Sequence, residues 1–266
     1  MIVRFIKNFF ENKQLEMRRR RLLEGKNNVN FHDNNVEKIK HIGFYETQKT
    51  SPMWQHLFKF IGSFCTSRKT VVAVGCGGYE LMAVKNSEET TGIDLSKEAL
   101  LVLKKSGFKG QLINADSLHL PFKEKSFEVA YSNQVIEHML NINQIKQFIK
   151  EIERLSSNVM IITPNSAYNR KVHDPTHFFF FTTRNFKPFL PDFKIFSTNY
   201  PYDKTLAYYF LFESPRIRNI PYFGKFIIEG LRRIDTSKTL TFLNRKLWPG
   251  NQIVAIKGAV ALAACS

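Results

Sequence analysis

The sequence predicts an α/β domain built on a doubly wound sheet of mostly parallel strands. One observation is the β-branched run Val71–Val74, which has the composition of a buried parallel strand. A second is the glycine-containing segment 75–78 with the helix-like segment 80–85 after it, so that strand, loop and helix come in the order of a βα unit. A third is the length of 266 residues, which fits one such domain with additions and is enough to bury a core.

The first strand and the loop after it have the spacing of a nucleotide-binding site. Glycines let the chain turn sharply and let backbone N–H groups approach a ligand with no Cβ in the way. A second strand, 90–93, ends on Asp94, which lies nineteen residues after Gly75. A carboxylate about 20 residues beyond such a loop is the usual partner of ribose hydroxyls. Glu80 stands where a dinucleotide-binding loop has its third glycine, and a carboxylate there would repel a pyrophosphate.

Later strands are predicted at 112–115, 126–133, 159–163, 193–200 and 252–257. Three helices are predicted from apolar residues at helical spacing, at 44–64, after the N-cap residue Ser96, and at 142–155. Their apolar residues are, in order, Trp54, Leu57, Phe58 and Ile61; Leu100, Leu101 and Leu103; and Ile142, Ile145, Phe148, Ile149, Ile152 and Leu155.

Residues 72–80, Val-Ala-Val-Gly-Cys-Gly-Gly-Tyr-Glu, resemble the first motif of class I S-adenosylmethionine-dependent methyltransferases, with Tyr79 where that family commonly has glycine. The strand 126–133 is similar to a later motif, with Glu128 where the family usually has Asp. The resemblance implies a Rossmann-like seven-stranded sheet whose last strand is antiparallel. It implies S-adenosylmethionine as the cofactor, with Asp94 on the ribose and Asp116 on the adenine amino group. The full set of implied cofactor-binding residues is Gly75, Cys76, Gly77, Asp94, Leu95, Asp116, Ser117 and Asn133.

The stretch from Gln134 to His138 follows the fourth strand. Ubiquinone-pathway O-methyltransferases resemble it, and in them two acidic residues and the histidine can hold a divalent metal. The first acidic position is Gln134 in this chain, and an amide is a weak ligand, so we expect no metal. The alternative is that Glu137 and His138 organise the pocket wall without reacting.

A polar segment, 169–177, follows the fifth strand and contains Asp174 and His177. With the aromatic residues and threonines at 178–183, it resembles the Asp-x-x-His lid of bacterial methyltransferases encoded with surface-polysaccharide genes. The resemblance implies O-methylation of a glycan or a lipid-linked small-molecule acceptor. A hydroxyl must lose its proton as it attacks, and histidine titrates near neutrality. We expect His177 to be the base, with His138 as second candidate and Asp174 orienting the base; the alternative is plain loop polarity.

The net charge of +16 lies mainly in the flanks of the chain. Residues 1–50 carry 11 basic and 6 acidic side chains, and residues 186–266 carry 12 and 5. Such an excess favours an anionic partner, which could be a phospholipid surface, a phosphorylated lipid-linked glycan or RNA. The alternative is a basic surface that faces only solvent.

The domain organisation predicted is a basic, helical N-terminal extension at 1–50 and a methyltransferase domain at 51–266 with an insertion at about 203–248. Basic residues interrupt the apolar segment at 2–10, and Arg18 to Arg21 follow it, which is typical of an interfacial helix. Cys65, Cys76 and Cys265 have no pairing pattern, and no segment reads as a signal peptide or a membrane span. We therefore expect a cytoplasmic protein that contacts the inner face of the membrane through the extension and the insertion.

Two other functions remain open from the sequence. An RNA methyltransferase would explain the charge, although 132–135 is not the Asn/Asp-Pro-Pro-Tyr motif that base methylases of this fold often carry. Salt-dependent retention on RNA with a steep slope would favour it. A non-catalytic module that binds S-adenosylmethionine is the other, and formation of S-adenosylhomocysteine with any acceptor would exclude it.

Overall fold

The computed structural model describes residues 52–66, 68–77, 79–84, 89–166, 176–198 and 252–258. The expected helical extension at 1–50, the insertion at about 203–248 and Asp174 lie outside these residues. The domain boundaries given above therefore stay predictions. No helix in the described ranges has both the length and the apolar composition of a membrane span.

Seven strands form one sheet in the order β3-β2-β1-β4-β5-β7-β6. The first six run parallel to one another, and β7 is antiparallel to both of its neighbours. This confirms the predicted Rossmann-like sheet with an antiparallel last strand. The strands are β1 (Val71–Val74), β2 (Thr90–Asp94), β3 (Gln111–Asn114), β4 (Val129–Asn133), β5 (Val159–Pro164), β6 (Lys194–Thr198) and β7 (Gln252–Lys257).

Three helices of nine residues or more are described: α1 (Pro52–Cys65), α2 (Lys97–Lys105) and α3 (Ile142–Leu155). Short 3₁₀ helices lie at Tyr79–Ala83, Ile136–His138 and Lys187–Phe189, and a four-residue helix lies at Thr183–Phe186. The side chain of Ser96 accepts the N–H of Ala99 and caps α2, as predicted.

Two residues assigned to apolar helix faces are exposed instead. Leu101 is 46 % exposed, because successive residues of a helix lie about 100° apart and its neighbour Leu100 already faces the sheet. Ile142 is 50 % exposed, because it is the first residue of α3 and precedes the buried part of the stripe, which begins at Ile145.

Both faces of the sheet are covered, as alternation along β1 requires. Val72 and Val74 belong to the core on one face, together with the buried side of α3. Val71 and Ala73 belong to the core on the other face, together with α1 and α2. Polar side chains that could bind a ligand therefore lie at the ends of the strands and in the loops that follow them.

The strand order reverses between β1 and β4, which lie side by side in the sheet. In open α/β sheets, ligands bind outside the carboxyl ends of the strands at such a switch point. The end of β5 lies at the same edge, since Asn133 of β4 pairs with Ile162 of β5. The chain also leaves β6 after Thr198 and returns at Gln252, and these two residues are paired to each other.

Candidate active site

The loop after β1 is held against β2 by its own backbone. The N–H groups of Gly75 and Cys76 both donate to the carbonyl of Ile93, at 2.8 and 2.9 Å. These two N–H groups therefore do not face a ligand, contrary to the expectation for the loop. Gly75 has a φ of +78°, and a Cβ there would overlap the side chain of Val135, so glycine is required at this position.

Asp94 lies at the end of β2 and faces the same loop. Its Oδ1 accepts the N–H of Ser96 at 2.8 Å, which fixes the carboxylate. A Cβ on Gly77 would come 3.2 Å from Asp94 Oδ2, so this glycine leaves room beside the carboxylate. Asn114 Nδ2 donates to the carbonyls of Asp94 and Leu95, at 3.0 and 2.7 Å, and thereby holds the backbone at both predicted positions.

Asp116 and Ser117 follow β3 and are partly exposed. Asp116 Oδ1 accepts the N–H of Leu118 at 2.9 Å, and Oδ2 lies 3.6 Å from Nδ1 of His119. The carboxylate is 47 % exposed, so a ligand amino group can approach it. The contact of Asp116 with the adenine amino group stays a prediction.

Asn133 and Glu80 form a buried pair at the switch point. Asn133 Nδ2 donates to Glu80 Oε2 at 2.9 Å, and both side chains are at most 5 % exposed. Burial raises the pKa of Glu80 to about 7; the hydrogen bond from Asn133 opposes this rise, and the charge of Asp94 adds to it. Cys76 is fully buried, and burial raises the pKa of its thiol well above the ordinary value, so the side chain is no nucleophile.

Glu137 anchors a second polar group at the ends of β4 and β5. Its side chain is 1 % exposed, and Oε2 accepts the hydroxyl of Thr163 in β5 at 2.9 Å. Its backbone carbonyl accepts the N–H groups of Phe178 and Phe179, at 2.9 and 3.1 Å. One residue thus joins the turn after β4, the end of β5 and the segment that carries His177.

The structure brings His138 and His177 together, although 38 residues separate them in the chain. Their ring centroids are 4.8 Å apart with an angle of 78° between the ring planes. His138 Nδ1 lies 3.1 Å from the carbonyl oxygen and 2.9 Å from the hydroxyl of Thr176. His177 Nε2 lies 3.9 Å from Glu137 Oε1, and the ring is 17 % exposed.

Glu137, His138 and His177 could also hold a divalent cation. Each offers one ligand atom, and the three atoms lie within 4.8 Å of one another. One carboxylate and two imidazoles suit zinc, manganese or iron. Gln134, at the position of the first acidic ligand in the ubiquinone-pathway enzymes, is directed elsewhere, since its Nε2 donates to Gln252 Oε1 at 2.7 Å. The expectation of no metal stays a prediction.

The polar side chains near the ends of β1 to β4, which are Glu80, Asp94, Asp116 and Asn133, fit S-adenosylmethionine. Carboxylates that can accept ribose and adenine hydrogen bonds follow β2 and β3, and Gly77 leaves space beside the first of them. Glu80 and Asn133 lie between β1 and β4, and Asn133 Oδ1 is a buried acceptor with no hydrogen-bond partner within the described ranges. Such an acceptor suits a positively charged ligand with N–H donors.

Comparison with known proteins agrees with this geometry. Residues 72–158 match the family model described as a methyltransferase domain. An uncharacterised protein of Methanocaldococcus jannaschii is 27 % identical over 181 residues, which are 66 % of this chain and 73 % of that protein. A SAM-dependent methyltransferase from Archaeoglobus fulgidus has a TM-score of 0.53 at 18 % identity and covers 82 % of this chain and 98 % of its own. The plantazolicin methyltransferase BpumL also has a TM-score of 0.53, at 16 % identity, and covers 92 % and 97 %.

The two solved structures share the fold of this chain. The family match adds that residues 72–158 resemble a methyltransferase domain. Together with the polar groups at the switch point, they define an enzyme of the methyltransferase class. The match of residues 72–158 and the fold support an S-adenosylmethionine-dependent methyltransferase, with S-adenosylmethionine as the methyl donor.

Sequence reasoning left three contributing residues out of the site. From the sequence, Glu80 is only a carboxylate that would repel a pyrophosphate, because its pairing with Asn133 is visible only once β1 and β4 are adjacent. Asn114 and Thr176 act through hydrogen bonds to backbone or to a ring nitrogen. The position of Asn114 near the end of β3 was the one available signal.

Proposed function

We propose that the protein O-methylates a hydroxyl group on a glycan or a lipid-linked small-molecule acceptor. The main support is the group of Glu137, His138 and His177 at the carboxyl ends of β4 and β5. It begins four residues after Asn133, so it adjoins the edge of the sheet at which the donor site lies. An acceptor hydroxyl needs a proton acceptor at that edge, and imidazole is suited to this role at neutral pH.

Bound S-adenosylmethionine supplies a methyl group that its positive sulfur already activates. The protein then has to align the acceptor and remove one proton. We assign proton removal to His177. The imidazolium that results would lie 3.9 Å from Glu137 Oε1, and the buried carboxylate would stabilise it. Glu137 thus supports His177 in this proposal, and the orienting role expected of Asp174 stays a prediction.

His138 fits a positioning role beside His177. A carbonyl oxygen can only accept a hydrogen bond, so the contact with the carbonyl of Thr176 assigns the Nδ1 proton to a neutral His138 ring. Nε2 of that ring is then its acceptor nitrogen. His138 is thus the second candidate for the base.

The base assignment is tested with His177→Ala. Turnover should fall by about 10²-fold or more while the affinity for S-adenosylmethionine stays near wild type, because the donor site is built from other residues. Acceptors are found by incubating the enzyme with labelled donor and with glycan, lipid and RNA fractions, followed by mass spectrometry of the methylated product. Glu128→Gln, which alters an exposed carboxylate before β4 at the opposite edge of the sheet, is the control.

The outcomes separate the alternatives. Full turnover in His177→Ala with loss in His138→Ala moves the base to His138. Full turnover in both variants contradicts base catalysis by this group. Methylation confined to the RNA fraction contradicts the acceptor class, and labelling of no fraction favours a binding module.

A metal-assisted reaction is the second candidate, and the geometry of the same three residues favours it. Such a cation would polarise the acceptor oxygen and lower its pKa, and His177 would then be a ligand rather than a base. Equilibrium binding of Mn²⁺, followed by its paramagnetic resonance signal, distinguishes the two. Binding in the wild type that is lost in His177→Ala, with turnover abolished by a chelator and restored by the metal, would establish the metal-assisted reaction.

We further propose that the basic flanks bind an anionic lipid surface, which would bring the enzyme to a lipid-linked acceptor at the inner face of the membrane. The support is the uneven charge, with 11 basic and 6 acidic residues at 1–50. Anionic vesicles should retain the protein at about 0.05 M salt and release it as salt screens the charges. Equal flotation with neutral vesicles would contradict the proposal.

A further inference from the structure

The carboxyl group of Glu80 is buried at the switch point between β1 and β4. It lies in the 3₁₀ helix that follows the glycine loop, is 4 % exposed, and contacts Asn133 at the end of the adjacent strand β4. A buried carboxylate without a paired cation is costly, so native proteins keep few of them. Neither fold stability nor the catalytic group at Glu137 accounts for a carboxylic acid at this position.

Among the described residues, no positively charged group contributes to the titration of Glu80. The groups that shift its titration are the Asn133 amide and the Asp94 carboxylate. Glu80 acts in turn on Cys76 in the loop and on Tyr131 in β4, whose pKa values burial raises well above the ordinary range, so both are neutral at pH 7. Burial raises the pKa of Glu80 to about 7, and the charge of Asp94 adds to the rise, so a proton on Glu80 is favoured in the free enzyme below that pH.

An unpaired hydrogen-bond acceptor lies beside Glu80 at this switch point. Asn133 Oδ1 is buried and has no hydrogen-bond partner in the part of the chain that is described. Glu80, when ionised, adds two acceptor oxygens, of which one receives the Asn133 amide. Acceptors of this kind are complementary to a cation that carries N–H donors or to a positively charged sulfur.

We propose that Glu80, positioned by Asn133, recognises the positive charge of the methionine end of S-adenosylmethionine, and that donor binding expels one proton from Glu80 to solvent. The balance is simple: the neutral acid becomes a carboxylate paired with the ligand cation, and the proton goes to the buffer. Two ligand charges are candidates, the α-ammonium and the sulfonium. The inference concerns the donor alone and does not depend on the acceptor proposed above.

Proton release gives the test a readout other than turnover. Calorimetric titration of the wild type with S-adenosylmethionine at pH 6.5, in buffers of different ionisation enthalpy, counts the protons released. At this pH the ligand ammonium, with the usual α-amino pKa of about 7.7–8.0, stays protonated. A group with a pKa near 7 should release about three quarters of a proton. The apparent dissociation constant should rise about fivefold between pH 7.0 and 6.0, because only the ionised enzyme binds tightly.

Glu80→Gln removes the titrating group and keeps its shape. We expect this variant to release no proton and to bind the donor at least tenfold more weakly, with no pH dependence between 6.0 and 7.0. Glu128→Gln is the matched control, since Glu128 is exposed and precedes β4 at the opposite edge of the sheet. It should behave as the wild type does.

Two further ligands separate the candidate charges. S-adenosylhomocysteine keeps the ammonium but lacks the sulfonium, and 5′-methylthioadenosine lacks both. Release with the first and not with the second assigns Glu80 to the ammonium; release with S-adenosylmethionine alone assigns it to the sulfonium. Equal proton release by the wild type with all three ligands, or no release with any, overturns the proposal, and this part of the test needs no variant to fold. Unchanged release in a folded Glu80→Gln overturns it as well.

Discussion

The buried carboxyl group of Glu80 makes a prediction about stability in the absence of any ligand. Its folded pKa of about 7 is above the ordinary value of 4.5, so between these values the folded state binds more protons than the unfolded state. The free energy of unfolding should therefore fall as pH rises from 4.5 to 7, and level off above. Over the interval from pH 5.0 to 8.0, the loss attributable to this group is roughly 2.5 kcal/mol, at 1.36 kcal/mol per pH unit.

Glu80→Gln should remove this loss. Its amide oxygen can still accept the N–H of Asn133, so the packing and one hydrogen bond are retained. Urea unfolding of ligand-free wild type and variant at pH 5.0 and 8.0 gives four free energies. The difference between the proteins should shift by roughly 2.5 kcal/mol in favour of the variant from pH 5.0 to 8.0, since all other titrating groups are common to both.

A parallel pH dependence in the two proteins would refute this reasoning. It would mean that Glu80 reaches solvent or a cation in the free enzyme. The expected result has a functional side: the variant should be the more stable protein above pH 7 and the poorer binder of the donor. Such an exchange of stability for function is common where a site holds an uncompensated group.

Two further predictions concern residues that the structure holds by hydrogen bonds. Asp94→Ala should weaken S-adenosylmethionine binding by roughly 1.5–3 kcal/mol, the scale of a lost charge-assisted hydrogen bond, and unchanged affinity in calorimetry would contradict the ribose assignment. Arg154→Met should lower the free energy of unfolding by about 2 kcal/mol at pH 7, because Arg154 pairs with Glu151 at 2.7 Å and bonds the carbonyl of Leu120. This pairing lowers the pKa of Glu151, so its stabilisation is present above pH 4.5 and is lost as pH falls through the lowered value; an equal effect of the substitution at pH 7 and at pH 2 would contradict it.

The sheet could be predicted closely because its signals are local. The β-branched run of β1 and the apolar runs of β5 and β7 mark strands whose starts or ends agree with the structure to within a residue. The helix after the glycine loop is different: the sequence predicts 80–85, and the chain forms a 3₁₀ helix at Tyr79–Ala83. Periodicity alone does not distinguish these, because the choice depends on how Leu81 packs beneath the sheet.

The site was less predictable because its contacts join distant parts of the chain. Asp94 and Asp116 could be found from their positions at strand ends, and their functional roles still rest on the resemblance. Glu137 carries two roles that no sequence pattern shows, since it bonds Thr163 through its side chain and Phe178 through its backbone. Likewise, the amides expected to face the ligand bond Ile93 instead, because the loop turns back on β2.

The pairing of Thr198 with Gln252 has a consequence for how new specificities can arise in this fold. The chain leaves the sheet after Thr198 and re-enters it about 50 residues later at Gln252. Gln252 also pairs with Pro164 at the end of β5, so both points lie at the edge of the sheet that carries the active site. The entropy of closing such an excursion grows only with the logarithm of its length. The closure entropy alone therefore changes little when residues are added or removed between these two points, and none of the residues assigned to the donor lies between them. Selection can therefore alter the acceptor while the methyl donor and its chemistry stay constant.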